Sequence, residues 1–325
     1  MNEASSRESG TALNRIQILQ RGRLLPALEA RLAEAYDVHV VAKEEDLGAC
    51  VAARGGEFVA LVTSAPVGAD AALIAALPGL KVISSFGVGL DALDLDAARR
   101  RGIAVGYTPD VLNDCVADTA FALVMDVARR VAEADRFVRR GDWPRGRFPL
   151  ATRVSGKRLG ILGMGRIGRV IARRASGFDM AVRYHNRRPL ADSPHGYEAT
   201  LKGLAEWADF LVVASAGGAE TRGLVSREIL DALGPQGFLV NVARGSVVDE
   251  VALIDALQQG RIAGAGLDVF DDEPHVPDAL IALDNVVLLP HVASNTHETR
   301  AAMARRVEDN LAAGLAGQPM PSAAA

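Results

Sequence analysis

Cysteine is scarce in this chain: two residues, Cys50 and Cys115, in a length of 325. They stand far apart and without metal-ligand spacing, so no metal site is expected, and a reduced, cytoplasmic setting is the simple reading. An excess of one charge is also lacking. Lys and Arg total 36 against 40 Asp and Glu, a formal net charge of −4. That balance gives no reason to expect nucleic acid or an anionic membrane as partner, and the interspersed arginines read as solvated helix faces. No apolar run approaches the roughly 20 residues of a membrane span. Met1 to Asn14 is polar, with no apolar segment of signal-peptide type. Together with the Ala-rich tail after Pro319, it is expected to be disordered. What is present is apolar material, 49% of the chain, ample for two domains with their own cores.

Short apolar runs alternate with helical patterns. Arg15–Leu19, Val38–Val41, Phe58–Thr63 and Val82–Ser85 read as strands, and Leu24–Ala35 and Ala69–Leu77 as helices between them. Strands and helices of this size imply parallel βαβ units. Asp110–Val138 is a long helical region, apolar almost all round, as in a helix buried between layers or at a subunit interface. A loop with Trp143, Pro144, Phe148 and Pro149 follows. The rest of the chain repeats the alternation: strands at Leu159–Leu162, Ala181–Tyr184, Phe210–Ala214, Gly237–Ala243, Ala263–Phe270 and Asn285–Leu289, helices at Arg166–Ser176, Leu224–Leu233 and Asp249–Gln259, and a final helix at Thr296–Leu315. The expected fold is α/β: two Rossmann-like, doubly wound parallel-sheet domains with a cleft between them. The final helix is long enough to return to the first domain.

The stretch Lys157–Pro189 organises the whole. Gly163, Gly165 and Gly168 stand at G-x-G-x-x-G spacing between a strand and a helix, with a second strand after it. In that context Gly163 permits a tight turn, Gly165 admits a pyrophosphate against the backbone, and Gly168 lets helix and strand pack closely. The helix N-terminus then offers N–H groups and partial positive charge to the phosphates. An NAD site usually places Asp or Glu about 20 residues on, to accept the ribose hydroxyls. Here that place holds Asn186, Arg187 and Arg188. Guanidiniums bind a 2′-phosphate that a carboxylate would repel, so NADP(H) is expected over NAD(H).

Three polar residues lie just past three successive expected strands: Arg244, Glu273 and His291. Ligands of open α/β sheets bind outside those strand ends. Arg244 suits the carboxylate and carbonyl of a 2-keto acid. His291 suits proton transfer to the carbonyl oxygen as hydride arrives. Glu273 suits holding the imidazole and favouring its charged form. Alone, each has an ordinary structural reading; their joint placement is what points to carbonyl reduction.

The motifs L-G-I-L-G-M-G-R-I-G, N-V-A-R-G-S-V-V-D-E-V-A-L, G-A-G-L-D-V-F-D-D-E-P and N-V-V-L-L-P-H-V-A-S resemble the D-isomer-specific 2-hydroxyacid dehydrogenase family. S-S-F-G-V-G-L-D, Y-T-P-D-V-L-N-D-C-V-A-D and V-R-R-G-D-W resemble its glyoxylate/hydroxypyruvate and hydroxyphenylpyruvate reductases. The resemblance implies that Arg244, Glu273 and His291 are catalytic, that Val88 and Gly89 bind the substrate carboxylate with Arg244, and that Asp268 holds the nicotinamide carboxamide. It also implies that Arg166 and Ile167 lie at the pyrophosphate and that Arg187 favours NADPH. A discontinuous substrate-binding domain, 1–107 plus 293–325, beside a dinucleotide-binding domain, 108–292, is implied as well, and so is a homodimer through Asp110–Thr152, with Trp143 either reaching the neighbouring subunit's site or packing in the interface. One departure stands out: Ser215-Ala216-Gly217-Gly218-Ala219-Glu220-Thr221 replaces a Pro-containing turn, and its glycines would loosen the wall beside the adenosine. The expected activity is hydride transfer from NADPH to glyoxylate or hydroxypyruvate. A bulkier acid such as hydroxyphenylpyruvate is the alternative, and a dinucleotide-sensing protein on the same fold is the alternative of another class.

Overall fold

The computed structural model describes residues 15–324; the expectation for Met1–Asn14 falls outside them. The chain forms two compact units, Met1–Thr108 with Met303–Ala325, and Pro109–Ala302. In the first unit, five strands form one parallel sheet: β1 (Gln17–Arg21), β2 (Asp37–Val41), β3 (Ala60–Ser64), β4 (Val82–Phe86) and β5 (Ala104–Gly106), in the order β2-β1-β3-β4-β5. The connections are helices α1 (Pro26–Ala35), α2 (Glu44–Arg54), α3 (Ala71–Ala76) and α4 (Leu95–Arg100). β4 is buried along its whole length, as a strand with helices on both faces must be. Its core joins Leu19, Leu61, Ile83 and Val105 of the strands to Leu73, Ile74 and Ala97 of the helices. α3 and α4 start sharply because Asp70 accepts from the Leu73 amide at 2.8 Å and Asp94 from the Ala97 amide at 2.7 Å, both N-caps.

The second unit begins with α5 (Asn113–Arg129) and α6 (Val131–Arg139). The single helical region expected here is two helices. Arg130 adopts the left-handed conformation at φ 55°, and the Asp126 carboxylate accepts from the Ala132 amide at 2.7 Å, starting the second helix. α5 is buried against the sheet through Val116, Ala120, Leu123, Val124 and Val127, but exposes Asp114 and Asp118. α6 has no buried residue.

Then come β6 (Arg158–Leu162), α7 (Arg166–Ala175), β7 (Ala181–His185), β8 (Gly196–Tyr197), α8 (Leu201–Trp207), β9 (Phe210–Val213), α9 (Arg227–Leu233), β10 (Phe238–Asn241), α10 (Glu250–Gln258), β11 (Gly264–Leu267), α11 (Asp278–Ile281), β12 (Val286–Leu288) and α12 (His297–Leu315). The seven strands are parallel, in the order β12-β11-β10-β9-β6-β7-β8. β9, β10 and β11 are buried throughout. Strand order reverses between β6 and β9, which makes the carboxyl end of that pair the topological switch point of a doubly wound sheet.

The second crossing between the units falls inside α12. Its last turns belong to the first unit, where Ser84 Oγ donates to the Val307 carbonyl at 3.0 Å and Asn310 Nδ2 to the Tyr107 carbonyl at 2.9 Å. The tail after Pro319 is ordered, contrary to expectation. Ser322 is buried, its N–H donates to Asn310 Oδ1 at 3.0 Å, and Ala324 donates to the Val105 carbonyl at 2.7 Å. Ala323 forms an antiparallel bridge with Gly106 at the edge of the five-stranded sheet. An open strand edge, rather than the tail's own propensity, orders it. Among the described residues, no helix is long and apolar enough to cross a membrane.

Candidate active site

The glycine turn after β6 behaves as its spacing requires. Gly163 sits at φ +99°, and a Cβ there would lie 2.6 Å from the Ser215 nitrogen. A Cβ on Gly168 would lie 2.2 Å from the Gly163 carbonyl oxygen, so helix and strand meet only because neither residue has a side chain. A Cβ on Gly165 would meet nothing within 4 Å. The protein's own packing therefore does not demand glycine there; open space in front of the backbone does, as a pyrophosphate needs. Gly165 is the N-cap of α7 and supplies no side-chain cap, which leaves the first amides of that helix without a capping side chain. Arg166, in the first turn, pairs with Asp110 at 3.0 Å, both half-exposed. Ile167 follows it in that turn and is half-buried.

Beyond β7, Asn186 Oδ1 accepts from the Met164 amide at 2.7 Å, and Tyr197 Oη donates to the Asn186 carbonyl at 3.2 Å. Asn186 thus ties the glycine turn to the neighbouring strand end. Arg187 and Arg188 are exposed. Arg187 Nη1 donates to Glu220 Oε2 at 2.7 Å, in a pair with 88% and 77% of the side-chain surfaces in solvent. Such a pair contributes little on its own and exchanges readily for a phosphate. Glu220 lies in the turn after β9 that departs from the family pattern. Gly218 there is at φ +137°. The turn is tied rather than loose: Thr221 Oγ1 donates to the Ala216 and Gly218 carbonyls at 2.9 and 3.1 Å. A Cβ on Gly217 would lie 2.7 Å from Arg244 Cγ, so this glycine makes room for the Arg244 stem.

Arg244, Glu273 and His291 do follow three adjacent strands of one sheet, β10, β11 and β12. Arg244 is half-buried, and its carbonyl accepts from Asn241 Nδ2 at 2.9 Å. Asn241 Oδ1 in turn accepts from the Ala243 amide at 3.0 Å. Gly245 lets this loop press against the next one, since a Cβ there would lie 1.9 Å from the Phe270 carbonyl carbon. Glu273 Oε1 accepts from the Phe270 amide at 3.1 Å, and Oε2 meets His291 Nδ1 at 2.7 Å. Burial acts to raise the Glu273 carboxyl. The bond to His291 and its charge, the Phe270 amide and the Arg244 charge outweigh that and hold it below the usual carboxylate range. His291 is exposed at 42% of its side-chain surface. With Nδ1 turned to Glu273, Nε2 is the nitrogen left to face a substrate.

Asp268, at the end of β11, is fully buried. Both its oxygens are engaged: Oδ1 accepts from the Val292 amide at 2.7 Å and Oδ2 from the Ala293 amide at 2.9 Å. Burial pushes this carboxyl up, and Glu273 adds to that, while the two amides and His291 pull the other way. In the first unit, Gly87 at φ +145° donates to Thr108 Oγ1 at 3.1 Å and shapes the turn after β4. Among the described residues, the Val88 and Gly89 amides of that turn donate to no acceptor. Asn241, Thr108 and Glu220 were not singled out from the sequence. The readable signal for Asn241 was a polar residue closing an otherwise apolar strand; Thr108 and Glu220 act through distant partners and left none.

Comparison with known proteins places the chain among relatives of one family. The family described as "D-isomer specific 2-hydroxyacid dehydrogenase, NAD binding domain" matches residues 121–293. The chain is 50% identical over 261 residues, 80% of its length and 83% of the relative's, to a hydroxyphenylpyruvate reductase of Plectranthus scutellarioides. It matches a glyoxylate/hydroxypyruvate reductase A of Arabidopsis thaliana at the same identity and coverage. A crystal structure of an NADPH-dependent glyoxylate/hydroxypyruvate reductase from Sinorhizobium meliloti, in complex with NADP and malonate, is similar at a TM-score of 0.90 and 42% identity, covering 96% of this chain and 97% of that one.

Proposed function

The chain belongs to the D-isomer specific 2-hydroxyacid dehydrogenase family, and from that premise we propose that it is an NADPH-dependent reductase of small 2-keto acids, glyoxylate and hydroxypyruvate foremost. The observation that carries the reading is the Arg244–Glu273–His291 grouping at adjacent strand ends, with His291 Nδ1 held on Glu273 at 2.7 Å. The relatives that are named glyoxylate/hydroxypyruvate reductases, one of them NADPH-dependent, support the substrate and cofactor.

The chain's residues divide the work as follows. Gly163, Gly165 and Gly168 shape a turn that admits the pyrophosphate, with Arg166, Ile167 and the α7 amides around it. Arg187 and Arg188 take the 2′-phosphate, Arg187 releasing Glu220 to do so, while Asn186 holds the turn they flank. Bound NADPH supplies the hydride. Arg244, with the amides of Val88 and Gly89, grips the substrate carboxylate; the guanidinium also polarises the carbonyl. His291 gives a proton from Nε2 to the carbonyl oxygen, and Glu273 orients the ring. Addition of hydride to carbon and proton to oxygen yields the D-2-hydroxy acid.

We assign residues 108–292 to dinucleotide binding and residues 1–107 with 293–325 to substrate binding. We place the protein in the cytoplasm, which its scarce cysteine suits, and read it as a homodimer. Val131, Val138, Trp143 and Leu150 are 54%, 53%, 68% and 99% exposed along one stretch, an apolar surface that a second copy would cover. Trp143 packs in that interface or reaches the partner.

The test is initial-rate oxidation of NADPH and NADH with glyoxylate, hydroxypyruvate, pyruvate and hydroxyphenylpyruvate, repeated on Arg187→Ala. The expected result is turnover of the small acids with NADPH preferred, and a KM for NADPH raised about 10-fold in the variant with NADH unaffected. Activity confined to hydroxyphenylpyruvate would replace the substrate. Tight NADPH binding with no turnover would favour a sensing protein.

A further inference from the structure

His291 is one of four described non-glycine residues with positive φ, at 53°. Left-handed backbone is unfavourable for a residue with a Cβ and persists only where its surroundings over-determine it. Glu273 holds the ring but not the backbone. The backbone is held from below, immediately past the histidine, by the carboxylate of Asp268 on the Val292 and Ala293 amides at 2.7 and 2.9 Å. Asp268 is itself anchored, its own amide donating to the Asn241 carbonyl at 3.0 Å. Thr119 Oγ1 of α5 closes the far side of the loop on the Ala293 carbonyl at 3.4 Å. A buried charge is costly unless hydrogen-bonded, and two directed amides meet that need.

We propose that Asp268 is a positioning residue for His291: by clamping the two following amides it imposes the left-handed turn that aims the imidazole. Asn241 is the relay that sets both sides of the site, since its carboxamide shapes the Arg244 loop and its carbonyl anchors Asp268. The proposal rests on His291 being the acid, but two of its readouts need no turnover, so the two failures are distinguishable.

The experiment compares Asp268→Asn, His291→Gly and the double variant. A carboxamide presents only one oxygen, so its NH2 group faces an amide N–H and the clamp is half lost. In Asp268→Asn, hydrogen exchange of the segment 290–296 should quicken about 10-fold or more. The value of kcat should fall about 10²-fold, much further than NADPH affinity falls. Glycine enters the left-handed region without strain, so Asp268→Asn should lower the Tm less in the His291→Gly background than in the wild type. NADPH affinity falling as far as kcat, with exchange of the segment unchanged, would make Asp268 a cofactor contact alone and overturn the proposal. So would an equal Tm loss in both backgrounds. If Asp268→Asn does not fold, rescue by His291→Gly supports the clamp, and failure of the double variant to fold contradicts it.

Discussion

The Arg244 loop is shaped by an asparagine on its carbonyl, a glycine beside its stem and another beneath it. Its Nη1 donates to the Ala243 carbonyl at 2.8 Å, and its charge helps hold the Glu273 carboxyl down. Removing it takes away both carboxylate grip and carbonyl polarisation. Arg244→Ala should therefore lower kcat and raise KM together, with kcat/KM down about 10²-fold or more. Steady-state kinetics with glyoxylate read this directly; a change in KM alone would make Arg244 a binding residue only. At this scale the site was legible where chemistry follows strand ends: Arg244, Glu273 and His291 each come just after a short apolar run. The Asp268 clamp was not, because its partners are backbone amides on another loop and no side-chain pattern marks them. Glu220 was invisible for a similar reason, its partner Arg187 being brought near only by the crossing of strand order.

Among elements, the long apolar strands and the glycine turn were readable, and the short pieces were not. α2 buries only Leu47, with Cys50 and Val51 partly buried beside it, and carries Glu44, Glu45 and Asp46 in its first turn, which suits a helix N-terminus but leaves the apolar stripe short. α8 depends on Thr200 accepting from the Gly203 amide at 3.0 Å, and β5 and β8 are too short to show a period. The pairing of β6 with β9 at the switch point has its own fastening at the opposite end of the strands. Asp209 accepts from the Arg158 amide at 2.8 Å and from the Arg158 guanidinium at 2.9 and 3.2 Å. Burial acts to raise the Asp209 carboxyl, but these bonds and the Arg158 and Lys157 charges prevail and lower it. A folded value below the unfolded one means the stabilisation is complete above the unfolded value, ~3.9, and is lost as pH falls through the folded one. Asp209→Asn should then cost about 1 kcal/mol at neutral pH, with Arg158 partly in solvent. In urea unfolding, the gap to wild type should close below about pH 4. A gap that persists there would show that the charge is not its source.

For the whole molecule, the alternation of strand and helix was enough to anticipate two parallel-sheet units, and composition was not enough to anticipate the tail. Ala, Pro and Ser have no strand pattern; the edge of β5 orders them by offering a partner. The same reasoning applies to α6 and the loop behind it, where Val131, Val138, Trp143 and Leu150 stay exposed among the described residues. Leu150→Asp with Val138→Asp should convert a dimer to a monomer in light scattering, with NADPH binding retained; a wild type that is already monomeric would refute the assembly.

The account stands most directly on His291 as the proton donor. The decisive measurement is a single turnover of NADPH-loaded enzyme mixed with glyoxylate, wild type against His291→Ala, following loss of the reduced cofactor, with NADPH affinity titrated separately. The account predicts affinity within about 3-fold and a reduction step slowed about 10²- to 10⁴-fold. An unchanged step in the variant would contradict it.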